Sequence, residues 1–186
     1  SLHDALPILG ESSRLAHTAG EARHVASLFP AGRAFVGADA SVATLRVLAS
    51  GADVLHLACH AQFRQDNPRF SMLHLHDGAL SADEAETLSL EGATVVLSAC
   101  ETGLAELGRG DEMVGLVRAF LVAGAARVVA SQWPVDDAVT KTFMTAFYAS
   151  LARGDATAAA LASAQSATRA IRPHPVYWAA FTLWGG

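Results

Sequence analysis

The sequence is poor in cysteine, with two in 186 residues. Two cysteines cannot build a disulfide framework or a four-cysteine zinc site, and this usage fits a reducing, cytoplasmic setting. Basic residues are also in deficit, at 13 Lys+Arg against 18 Asp+Glu and a formal charge of −5. That balance argues against a nucleic-acid binder, whose domain should be basic. The G-x-S-x-G turn of the commonest serine hydrolases is missing. So are the G-x-x-x-x-G-K-[ST] and G-x-G-x-x-G loops that cradle phosphates. No signal peptide is visible. The most apolar region, 113–130, is interrupted by Arg118 and Arg127, so it reads as buried helix plus strand and not as a membrane span.

What is present suits one domain with a sizeable core, since 52% of the residues are hydrophobic and 17% charged. The start at Ser1, without an initiating methionine, points to a piece of a longer protein. Residues 1–13 show no strong period and read as a tail. Helical spacing runs from Ala16 to Phe29 and stops at Pro30. A short strand is expected over 33–36, then a helix over 42–49 capped by Asp39 or Ser41. Apolar runs at 54–59, 94–99 and 127–133 read as strands. Shorter signals are a strand at 72–75, a turn at Asp77-Gly78 and a capping box from Ser81 to Glu84. Helices are expected over 111–123, from Asp136 or Asp137 to about 151, and over 156–171, while 177–184 reads equally as strand or helix end. Near-continuous apolar strands alternating with helices mean an α/β fold, a mostly parallel sheet covered on both faces. Sites in such sheets form at the carboxyl ends of strands.

Two of those ends carry chemistry. Asp53-Val54-Leu55-His56-Leu57-Ala58-Cys59-His60 climbs through apolar residues to a histidine, and Thr94-Val95-Val96-Leu97-Ser98-Ala99-Cys100 climbs to a cysteine. A thiol of pKa about 8.5 needs a proton acceptor to attack near neutral pH, and imidazole is the natural one. Cys100 and His60 are therefore the candidate nucleophile and base. Cys59 would point to the opposite face of its strand, buried and inert, although a disulfide to Cys100 is a second option. His56 and His60 lie too far apart along a strand to share a zinc ion. His74, His76 and Asp77 form a closer cluster, read as surface residues around a turn, so no metal is assigned. After the third strand, Asp136 or Asp137 caps a helix. The other acid is free to hold a substrate Arg or Lys.

The runs HLACHA, NPRFSMLHLHDG, LSACETG, GLVRAFLVAGAARVVASQWPVDD and HPVYWAAFTLWGG closely resemble the CHAT domain. That domain is a relative of caspase-like cysteine peptidases and of separase, often attached to tetratricopeptide repeats. The resemblance spans 16–186, leaving 1–15 as a tail or fragment start, and implies a three-layer caspase-like sandwich. It implies that His60 is the catalytic histidine, that Cys100 is the nucleophile, and that the backbone N–H groups of Ala61 and Cys100 hold the oxyanion. Relatives usually carry glycine where Ala61 stands, and its methyl is expected to crowd the approach. By the same match Asp137, with Asp136 behind it, binds a substrate arginine. The implied protein is a cysteine endopeptidase cleaving after Arg or Lys, with no metal or cofactor, no nucleic acid and no membrane. Its partners would be a protein or peptide substrate and upstream repeats or a regulatory protein. Two other readings stand beside it: a non-catalytic or partner-activated scaffold module in a larger bacterial signalling protein, and an acyl transferase using Cys100.

Overall fold

The computed structural model describes residues 5–9, 18–64, 66–98, 100–101 and 113–186, with 5–9, 18, 100 and 101 described by their backbone. In chain order the elements are β1 (Ala5–Leu9), α1 (Thr18–Ser27), α2 (Val42–Leu48), β2 (Val54–Ala58), β3 (His60–Gln62), β4 (Met72–Leu75), β5 (Gly78–Ser81), α3 (Ala82–Ala85), β6 (Thr94–Leu97) and β7 (Cys100–Glu101). They continue as α4 (Val114–Val122), β8 (Arg127–Ser131), α5 (Asp137–Ala152), α6 (Thr157–Ile171), α7 (Pro175–Trp178) and β9 (Phe181–Gly185).

The main sheet has the order β1-β2-β6-β8-β9, parallel except for β9. Its central strands are buried throughout, because both faces are covered. Leu55, Leu57, Val95, Leu97, Val128 and Ala130 pack into one core with α2, α3 and α4. Val54, Val96 and Val129 pack into the other with α5 and α6. This is why the strands read as unbroken apolar runs instead of alternating. Truncating one of the fully buried leucines, such as Leu55 or Leu97, to alanine should cost about 2–5 kcal/mol.

A second, smaller sheet has the order β5-β4-β3-β7. The β4–β5 hairpin turns on His76-Asp77, with Gly78 at φ 157°. Ser81 and Glu84 form the expected capping box, with Ser81 Oγ accepting from Glu84 N at 3.2 Å and Glu84 Oε2 from Ser81 N at 2.9 Å. Gly124 ends the α4 segment at φ +100°, where a Cβ would lie 3.2 Å from Glu91 N, so glycine is needed there.

Three expectations change, and one that was left open is decided. Residues 5–9, inside the expected tail of 1–15, form the edge strand β1, paired in register with β2 from Ala5–Val54 to Leu9–Ala58. The strand expected over 33–36 shrinks to a lone bridge at Phe35. The runs at 54–59 and 94–99 each end early, at Ala58 and Leu97, and the chain then enters the second sheet. Residues 177–184 supply both options, the end of α7 and then β9.

Candidate active site

Both chemistry-bearing runs change sheets at the same step. Val54 pairs with Thr94 and Leu57 with Leu97 in the main sheet, and Ser98 N donates to Leu57 O at 3.0 Å. One step further, in the small sheet, His60 pairs with Cys100 and Ala61 with Glu101. The sequence offset is unchanged across the crossing, so the main sheet's alignment is handed on to the small one. His60 and Cys100 are thereby register partners on adjacent parallel strands, just beyond the carboxyl ends of β2 and β6.

His60 is half-buried. Its Nδ1 is buried with no partner among the described residues, where most buried polar atoms are satisfied. On its other side β3 pairs with β4, His60 against His74. Ala61 is fully buried and belongs to the α4-side core. Cys59 is a free thiol, 1% exposed, and burial pushes its pKa up to about 12. It is the inert hydrophobe expected, and the disulfide option falls.

The acids after β8 divide. Asp136 Oδ1 accepts from Ala138 N at 3.0 Å and Val139 N at 3.4 Å, capping α5. Asp137 is the first residue of α5, exposed, with no hydrogen-bond or ion-pair partner among the described residues. The same strand end is fastened to α7 by Trp133, whose Nε1 donates to Val176 O at 2.8 Å. Asp77 is spent elsewhere: its Oδ1 accepts from Val42 N at 2.6 Å and its Oδ2 from Ala43 N at 3.4 Å. The Val42 bond is the main cause that holds its carboxyl below the usual range. It clamps the hairpin to α2. Among the described residues no group of three His, Cys, Asp or Glu gathers as metal ligands do.

One cluster was not foreseen. His56, 1% exposed in the middle of β2, shares a 2.6 Å hydrogen bond between its Nδ1 and the Tyr148 hydroxyl on α5. Its Nε2 faces Glu21 Oε1 of α1 at 3.8 Å. Both of those atoms are buried without a hydrogen-bond partner among the described residues. The signal in the sequence was a histidine inside an otherwise apolar strand, which must find a polar partner from another element.

A model of the CHAT domain matches residues 8–186. The chain belongs to the CHAT domain family. It is 38% identical over 113 residues to tetratricopeptide repeat protein 28 of Mus musculus, covering 60% of this chain and 5% of that protein. The Homo sapiens protein of the same name is 37% identical over 113 residues, with 60% and 4% covered. This CHAT chain therefore spans a small fraction of its curated relatives, and those relatives are mammalian where a bacterial setting was expected. Among solved structures it is similar to the Saccharomyces cerevisiae separase–securin complex, with a TM-score of 0.65, 14% identity, and 100% of this chain and 12% of that one covered. At that identity the likeness is one of fold. No helix among the described residues is long and apolar enough to cross a membrane.

Proposed function

We propose that this CHAT domain is a cysteine peptidase with His60 and Cys100 as its dyad. The observation that carries the reading is the register pairing of His60 with Cys100 beyond the carboxyl ends of two parallel strands. His60 takes the thiol proton, and the thiolate attacks the scissile carbonyl carbon. The N–H groups of Ala61 and Cys100 are the proposed oxyanion donors. The tetrahedral adduct collapses, and the leaving amine departs with the proton from His60. Water, deprotonated by His60, then cleaves the thioester and frees the acid and the thiol. Asp137, a carboxylate without a protein partner among the described residues, is the proposed acceptor for a substrate Arg or Lys, while Asp136 keeps its capping role. A reducing, cytoplasmic setting keeps the thiol available.

The test is turnover of internally quenched peptides carrying Arg, Lys, Asp or Leu at the cleaved position. Cleavage after Arg or Lys, reduced at least about a thousandfold by Cys100→Ala, supports the reading. Unchanged cleavage in Cys100→Ala overturns it, and a thioester turned over while no peptide is cleaved replaces it with acyl transfer. The small share of the relatives' length and their tetratricopeptide repeat names favour a second reading, in which upstream repeats or a regulatory protein switch the domain on. Activity in the longer protein but not in this chain alone distinguishes it.

A further inference from the structure

The buried cluster on the far side of the main sheet is not used by the proposed chemistry. Glu21 on α1, His56 on β2 and Tyr148 on α5 bring three titratable groups from three elements into one packed layer. The rings of His56 and Tyr148 meet edge-on, with centroids 5.5 Å apart. Tyr148 is fully buried, and Phe29 and Phe147 pack against its ring. Glu21 Oε1 and His56 Nε2, both without a hydrogen-bond partner among the described residues, stand 3.8 Å apart, roughly 1 Å beyond an ordinary hydrogen bond. A cleft of about 550 Å³ opens beside Glu21 between α1 and α5, lined also by His24, Lys141, Met144 and Thr145, and gives the carboxyl a path to water.

We propose that Glu21, His56 and Tyr148 form a proton-operated joint that seats α1 on β2 and α5. With the Glu21 carboxyl protonated, all three side chains are neutral and the layer closes. When that proton leaves through the cleft, a carboxylate is stranded beside two groups that do not neutralise it, and α1 loosens. The surroundings agree. Burial first, and the Asp137 charge second, push the Glu21 pKa from 4.5 up to about 7, against a weaker pull from Lys141. Burial pushes His56 from 6.5 down to about 4 and Tyr148 well above 10, so neither supplies a counter-charge near neutral pH. The other charged or titratable groups on the elements around Glu21 are Arg23 and His24 on α1 and Lys141 and Asp137 on α5, all of them on the solvent side.

The sign follows from linkage. A carboxyl raised in the folded state contributes stability that is complete below 4.5 and is lost as the pH rises through about 7. His56 runs the other way: its contribution is present above 6.5 and is lost as the pH falls through about 4. The Glu21→Gln variant retains the histidine contribution and removes the carboxyl one. The ratio of wild-type to variant opening of the α1 amides, read by hydrogen exchange corrected for intrinsic rate, should rise by up to about tenfold per pH unit between pH 4.5 and 7 and then level off. A pH-independent ratio overturns the proposal. Should Glu21→Gln fail to fold, carbon-detected NMR of the Glu21 carboxyl in the native chain decides the matter. A midpoint near 7 supports the joint and one near 4.5 overturns it. Neither readout requires peptidase activity, so the joint and the proposed function stand or fall separately.

Discussion

His56 and His60 sit one strand-length apart on the same run of chain and have opposite surroundings. His56 is inside the main sheet, 1% exposed, bonded to Tyr148 and pushed by burial down to about 4. His60 lies past the sheet crossing, half-buried, with an Nδ1 that has no partner among the described residues and with Cys100 opposite in register. The residue type is the same and the flanking residues are similarly apolar. What separates them is the layer each enters: a two-sided parallel sheet dries its histidine, whereas a short strand at the sheet's carboxyl end leaves one at a border where ligands bind.

Exchanging the two roles by mutation tests that division most strongly. His60→Ala should lower kcat/KM for the proposed peptide hydrolysis by about a hundredfold or more, with the melting temperature little changed. His56→Ala should do the reverse, lowering the melting temperature and sparing turnover below the transition. Loss of turnover in folded His56→Ala would break the comparison. Tyr148→Phe comes next. It leaves His56 Nδ1 buried without its hydroxyl partner, at a cost of about 1–3 kcal/mol, measured by denaturant unfolding, with peptide turnover unaffected. A smaller effect is expected of Asp136→Ala, which removes the α5 cap for about 0.5–2 kcal/mol. Asp137→Asn, which lifts one negative charge from near Glu21, should cost no stability and reduce the preference for Arg over Leu at the cleaved position. An equal stability loss in both variants would erase the distinction between cap and free acid.

The main sheet was legible because its strands are dry on both faces, which writes Val54–Ala58, Thr94–Leu97 and Arg127–Ser131 as solid apolar runs. The Ser81 capping box and the Asp136 cap were legible because each is a contact between near neighbours in sequence. The small sheet was only half legible. Its strands are two to four residues long, too short to establish a period of two, and β7 in particular lies just past the end of the run expected over 94–99. β1 escaped notice because it is a five-residue edge strand with Pro7 at its centre, and proline in a short run argues against a strand. The Glu21–His56–Tyr148 cluster was invisible for another reason. His56 and Tyr148 are 92 residues apart, and nothing local marks a partner at that distance. The sequence did isolate His60 and Cys100 as a pair, because each closes an apolar run at a polar loop. Their side-by-side placement required the pairing of β3 with β7.

The shared crossing has an evolutionary corollary. Because β2 and β6 hand their alignment unbroken to β3 and β7, a one-residue deletion inside either long strand would displace His60 from Cys100 as surely as replacing one of them. Length changes should accumulate instead downstream of the pair, where added residues leave the phase of the two strands untouched.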